Sequence, residues 1–163
     1  ECGRYQDGLR LASIACARAQ ATLPLSDASR LYSEFHYACL LEKHGRLGEA
    51  NTVLQSIIAP VTQLPVTQLT DDFQLAEKVL GSLVRVSELR GETKLAIHHL
   101  EQLCEFSDAF RDSDDEVTLH RRFVLELLRL QVPSTQSENS SSVATLALIE
   151  EKYSALDLSL IHI

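Results

Sequence analysis

Gly45-Arg46-Leu47-Gly48-Glu49-Ala50 is the stretch of sequence that decides the fold. Two other stretches share its order of a glycine, a spacer and a small residue five positions on: Gly3-Arg4-Tyr5-Gln6-Asp7-Gly8 and Gly91-Glu92-Thr93-Lys94-Leu95-Ala96. The first glycines of the three are 42 and 46 residues apart (45 minus 3, and 91 minus 45). A direct repeat of Pro-Val-Thr-Gln-Leu at 60–64 and 65–69 accounts for five residues of the longer offset. This recurrence predicts an array of similar structural units.

Apolar residues on both sides of Gly45 recur every three or four positions, as an amphipathic helix requires. They are Leu31, Phe35, Ala38 and Leu41 before the glycine, and Ala50, Val53, Leu54, Ile57 and Ile58 after it. A glycine between two such stripes can adopt a positive φ, which lets one helix stop and the next begin. The sequence therefore predicts an antiparallel helical hairpin. The same pattern around Gly91 predicts helices from about 71 to 90 and from about 92 to 111, with Phe110 in the second apolar stripe.

The pattern changes after this second hairpin. Ser113-Asp114-Asp115-Glu116 has the form of a capping box, which predicts a helix over 116–131. Residues 132–142 are rich in Ser, Thr, Gln and Asn, a composition typical of a polar linker. Over 143–160 a helix is predicted from apolar residues at alternating three- and four-residue spacing: Leu146, Ile149, Tyr153, Leu156 and Leu160. This helix either forms a short coiled coil that dimerises through 146–160 or docks on the last hairpin.

These segments give one repeat domain over 1–131, with elbows near residues 3, 45 and 91, then the linker and the C-terminal helix.

The net charge is -8 and the 15 basic residues are scattered, so neither nucleic-acid binding nor membrane insertion is expected from this segment. The four cysteines are Cys2, Cys16, Cys39 and Cys104, and they form no Cys-x-x-Cys pair. Reduced thiols are expected, which favours a cytoplasmic location.

The sequence contains no motif for catalysis, a cofactor or a metal, so we expect none of these functions in this segment. His98 and His99 are adjacent and would point about 100° apart on a helix, which prevents them from sharing a metal ion. The acidic run from Asp112 to Glu116 lacks the central glycine and the distal glutamate of a calcium loop.

The repeated unit resembles the tetratricopeptide repeat (TPR). The resemblance rests on Gly45, Leu47, Ala50, Leu54 and Ile57, preceded by Ala38 and Leu41, and it covers about residues 1–112. The units here are longer than the roughly 34 residues typical of that family. The resemblance implies an all-α fold, an α-solenoid of antiparallel hairpins. It also implies a non-catalytic protein–protein interaction or regulatory module that binds a protein, a peptide or a neighbouring domain of the same polypeptide.

The resemblance further implies that the first helix of each hairpin lines the concave side of the array. Outward positions on those helices, and hence the candidates for partner contact, are Tyr32, Phe35, Cys39, Glu42, Lys43, Lys78, Arg85 and Glu88. For Tyr32 and Phe35 the alternative is that they complete the core.

Two other functional classes remain open from the sequence. The order of repeats, capped helix, spacer and final helix is similar to the sensory or dimerising region of bacterial signalling enzymes, such as diguanylate cyclases and histidine kinases. The repeat region of a transcription activator is the other alternative. The sequence has no methionine and its first residues resemble the turn of a hairpin, so we expect a fragment of a larger protein.

Overall fold

The computed structural model describes residues 2–63, 71–110, 115–132 and 136–155. Within these ranges the chain forms seven α-helices and no β-strand. The chain separates into two compact units, Glu1–Glu92 and Thr93–Ile163. The helices are α1 (Cys2–Thr22), α2 (Ala28–Lys43), α3 (Leu47–Thr62), α4 (Asp71–Leu89), α5 (Thr93–Asp108), α6 (Glu116–Gln131) and α7 (Gln136–Ala155).

In the first unit, each helix packs against the next one along the chain, and α2 also contacts α4. Helix α3 therefore packs against both α2 and α4, and its buried residues Ala50, Leu54, Ile57 and Val61 form one narrow stripe with three- and four-residue spacing. The predicted apolar stripes form this core. The residues that are almost fully buried include Leu31, Leu41, Leu54, Ile57, Leu75, Leu80 and Leu83.

The hairpin between α2 and α3 turns at Gly45, as predicted. Gly45 has a φ of 72°, its amide donates to the Glu42 carbonyl at 2.8 Å, and the Arg46 amide donates to the Leu41 carbonyl at 2.9 Å. These two bonds are the Schellman arrangement, which satisfies the last carbonyls of a helix when the next residue is left-handed.

Gly91 ends α4 in the same way. It has a φ of 73°, and its amide donates to the Glu88 carbonyl at 2.9 Å. The Glu92 amide donates to the Ser87 carbonyl, also at 2.9 Å. Gly45 and Gly91 are thus equivalent positions, which confirms the predicted ends of α2 and α4.

The predicted elbow at Gly3 is wrong. Helix α1 begins at Cys2 and continues through both Gly3 and Gly8 to Thr22. A glycine inside a helix costs about 1 kcal/mol relative to alanine, but it does not by itself break the helix. Cys16 and Ala19 of α1 are buried against α2, and this packing stabilises the helix against the cost of its glycines. Residues 3–8 therefore have the glycine pattern of the elbows but form no turn.

In the second unit, α6 packs against both α5 and α7. Arg129 binds Glu101 and Arg122 binds Asp108, each at 2.7 Å, so ion pairs join α5 to α6 at two levels. Helix α5 ends at Asp108, three residues before the predicted end. Phe110 lies beyond it with 39% of its surface exposed, which corrects its predicted place in the buried stripe.

The predicted linker over 132–142 is helical from Gln136 onward, because α7 begins there and not at residue 143. Ser142 and Ile149 are buried, and Ile149 packs with Leu119 and Phe123 of α6. This burial stabilises a helix whose composition alone favours a linker. Among the described residues, α7 packs on α6 and not on α5 of the predicted last hairpin, and dimerisation through 146–160 stays a prediction. Residues 156–160 of the predicted helix and the predicted capping residue Ser113 lie outside the described ranges.

Candidate interaction surface

The exposed faces of α2 and α4 are joined by one ion pair. Arg85 Nε lies 2.5 Å from Glu42 Oε1, and Arg85 Nη2 lies 2.7 Å from Glu42 Oε2. Each residue lies 14 positions after the first residue of its helix (42 minus 28, and 85 minus 71), so the pair joins corresponding turns of neighbouring repeats. A two-point guanidinium–carboxylate contact fixes orientation as well as distance. The two helix faces therefore form one continuous surface.

This ion pair is only partly accessible to solvent. The Arg85 side chain is 53% exposed and that of Glu42 is 12% exposed, so the carboxylate lies beneath the guanidinium. Hydrogen bonds with Glu42 raise the pKa of the Arg85 guanidinium above its usual value. Arg85 thus remains charged and presents its free edge to solvent.

Cys39 lies beside this pair and is half-buried. Burial raises the pKa of its thiol, and the Glu42 carboxylate raises it further, while Arg85, Lys43 and a hydrogen bond with Ser82 act in the opposite direction. The thiol is therefore protonated near neutral pH and is a weak nucleophile. Cys39 contributes shape and packing to the surface.

Four predicted contact residues thus come together at the junction of α2 and α4: Cys39, Glu42, Lys43 and Arg85. Lys43 is exposed, and the side chains of Lys43 and Lys78 form no ion pair or hydrogen bond with another described residue. Both lysines are therefore available to a partner.

The remaining predicted contact residues divide between surface and core. Lys78 and Glu88 are exposed on α4, and Tyr32 is half-buried on α2. Phe35 is 8% exposed and belongs to the core, so its predicted place on the contact surface is wrong. The Tyr32 ring stacks on the ring of His36 with 6.4 Å between centroids. His36 is exposed, and the sequence-based set did not include it.

A second polar cluster, missed by the sequence-based set, lies between α1 and α2. Glu34 is buried in α2, and its Oε1 accepts a hydrogen bond from Arg30 Nε at 2.8 Å. Arg30 Nη1 also donates to the Leu23 carbonyl at 3.1 Å, in the connection that follows α1. Burial raises the pKa of the nearby Cys16 thiol, and the Glu34 carboxylate adds to this effect. The cluster fixes α1 against α2 and is closed to a ligand.

The structure provides no arrangement for metal binding among its described residues, since no three His, Cys, Asp or Glu side chains form a suitable group. The rings of His98 and His99 are 5.6 Å apart and inclined by 47°. His99 is buried, its Nδ1 lies 3.2 Å from Gln102 Oε1, and burial lowers its pKa. These contacts indicate a packing role for His99.

The three cysteines whose side chains the structure describes, Cys16, Cys39 and Cys104, form no disulfide. Burial raises the pKa of the Cys104 thiol to about 11.

Among the described helices, none combines the length and the apolar composition needed to span a bilayer.

This architecture is an all-α fold built from helical hairpins, and solved structures of other proteins share it, among them the following two. One is a variant of a candidate kinesin light chain from Podosopora anserina with nearly identical TPR-like repeats. It is 18% identical to this chain, with a TM-score of 0.72, over 96% of this chain and 70% of that chain. The other is a structure described for the same Podosopora anserina repeats, 20% identical with a TM-score of 0.68, over 92% of this chain and 69% of that chain.

These likenesses confirm the predicted fold class, an α-solenoid of TPR-like repeats. No protein-family description matches the chain, and no curated protein matches it.

Proposed function

We propose that this chain is a non-catalytic protein-interaction module that binds a protein or peptide through the joined faces of α2 and α4. The observation that carries the proposal is the Arg85–Glu42 ion pair, because it makes the outward residues of two successive repeats one surface. TPR-like neighbours in structure support a binding role over a catalytic one.

The surface has the chemical variety that peptide recognition needs. The rings of Tyr32 and His36 offer apolar contact, while Lys43, Lys78 and Arg85 offer positive charge. Tyrosine and arginine are enriched where proteins bind one another, and the exposed lysines add positive charge that attracts an acidic ligand. We propose a ligand that carries both an apolar side chain and negative charge. The free thiols support a cytoplasmic location as part of the same proposal.

The lysines provide a direct test. Peptides selected from a random displayed library on the wild-type chain should bind Lys43→Glu/Lys78→Glu at least about tenfold more weakly, which corresponds to about 1.4 kcal/mol. The expected cause is loss of attraction at two exposed cations together with repulsion of acidic ligand groups. Isothermal titration calorimetry measures the affinities.

The chain offers a matched control, because its other two lysines are Lys94 and Lys152. Both are exposed and lie outside α2 and α4, so Lys94→Glu/Lys152→Glu changes the net charge by the same amount. This variant should bind the selected peptides as the wild type does. Equal affinity of the two double variants would contradict the proposed surface.

A further inference from the structure

Helix α1 carries an exposed apolar pair on the side that faces away from α2. Leu11 is 59% exposed and Ile14 is 54% exposed. Buried Cys16 and Ala19 mark the side of α1 that packs on α2. At 100° per residue, Ile14 lies at least about 140° from both, and Leu11 lies about 140° from Cys16 and about 80° from Ala19. The pair is therefore clear of the interface that α1 forms within the first unit.

Charged residues extend this pair into a stripe along the helix. Asp7 lies four residues before Leu11, and Arg18 lies four residues after Ile14. Both are exposed, and the spacing of four, three and four residues places all four side chains on one face. Neither Asp7 nor Arg18 forms a side-chain ion pair or hydrogen bond with another described residue.

Two copies of this stripe are complementary when their helices run antiparallel. The midpoint between Asp7 and Arg18 coincides with the midpoint between Leu11 and Ile14. When two copies of α1 pack antiparallel about that point, Leu11 of each meets Ile14 of the other. At the same time Asp7 of each meets Arg18 of the other. A two-fold symmetric contact needs this property, because residue i must fit residue j in both directions.

We propose that the outer face of α1 binds a second copy of this chain in an antiparallel, two-fold symmetric contact. A parallel arrangement is disfavoured, because it would place Asp7 against Asp7 and Arg18 against Arg18 of the two copies. The contact involves a single helix from each copy, and each copy carries a net charge of -8, so the dimer is weak and depends on concentration. This surface is separate from the face formed by α2 and α4.

Sedimentation velocity of the full chain, from low micromolar to near-millimolar concentration, tests the proposal. The wild type should shift from monomer to dimer across this range. Leu11→Glu should remain monomeric, because each dimer would bury two unpaired carboxylates. Leu148→Glu is the matched control: Leu148 is 62% exposed on α7, and its replacement should leave association unchanged.

Charge reversal tests the antiparallel register. Asp7→Arg and Arg18→Asp change the net charge in opposite directions, yet each should weaken association by about threefold to tenfold, since every pair occurs twice in the dimer. The double variant Asp7→Arg/Arg18→Asp should restore wild-type association. Circular dichroism checks that each variant keeps its helix content.

Three results would each overturn the proposal. They are a wild type that stays monomeric throughout, a dimer that persists in Leu11→Glu, and a double variant that associates no better than the single ones. A dimer sensitive to Leu148→Glu alone would place the contact on α7 and would equally contradict it.

Discussion

Arg30→Ala is expected to lower the free energy of unfolding by about 3 kcal/mol, because it leaves the Glu34 carboxylate buried without its cationic partner. The Glu34 side chain is 2% exposed and lies 2.8 Å from Arg30 Nε. The substitution also removes the hydrogen bond from Arg30 to the Leu23 carbonyl. Urea unfolding followed by circular dichroism measures the change.

Two further variants show whether the loss of stability comes from the buried ion pair or from the removal of any arginine. Arg46→Ala removes an ion pair with Glu49 in which both side chains are about half exposed, so no measurable change is expected. Arg30→Met with Glu34→Leu should recover most of the lost stability, since apolar residues can replace a buried ion pair. Equal free energies of unfolding for Arg30→Ala and Arg46→Ala would contradict a stabilising role of the buried pair.

Gly45→Ala and Gly48→Ala should change stability in opposite directions, although the two glycines are only three residues apart. Gly45 has a φ of 72°, and a Cβ added there would meet no atom within 4 Å, so the cost is conformational. That cost is about 1–2 kcal/mol for an L-residue in the left-handed region. The loss should appear as a lower urea midpoint with an unchanged slope.

Gly48 lies in the first turn of α3, where a Cβ also has open space and φ is not positive. Gly48→Ala should therefore stabilise the chain by up to about 1 kcal/mol, because alanine is the better helix former. Gly91→Ala should repeat the result of Gly45→Ala, since Gly91 has a φ of 73°. Destabilisation by Gly48→Ala as large as that by Gly45→Ala would contradict the elbow geometry.

The sequence predicts the elbows well where apolar stripes lie on both sides of the glycine. Gly45 and Gly91 each follow a helix with three- and four-residue periodicity, and both turn as expected. Gly3 has the same local pattern, yet it lies inside α1. The spacing of glycine and small residues is therefore not sufficient by itself to predict a turn.

The candidate surface was harder to predict, because periodicity gives the direction of a side chain but not its partner. The outward positions of Cys39, Glu42 and Arg85 followed from the resemblance to the tetratricopeptide repeat, yet the ion pair between residues 43 positions apart did not. Phe35 lay near the boundary between surface and core and is buried. Glu34 is a charged residue in the core, and only its i,i+4 relation to Arg30 gave a signal.

The C-terminal helix shows the limit of composition as a guide. Residues 136–142 have the polar composition of a linker, but they are the first two turns of α7. Tertiary contact explains the difference, since Ser142 and Ile149 of this helix are buried and Ile149 packs on α6. A weak helix former can remain helical when one side of the segment is covered.

The central claim is that α2 and α4 of successive repeats form one surface, and a double-mutant cycle on Glu42 and Arg85 tests it most directly. Urea unfolding of wild type, Glu42→Ala, Arg85→Ala and the double variant gives the coupling free energy between the two side chains. The account predicts a favourable coupling of about 0.5–1 kcal/mol, as expected for a partly exposed ion pair with two-point geometry. Additive effects, with no coupling between the two substitutions, would contradict it.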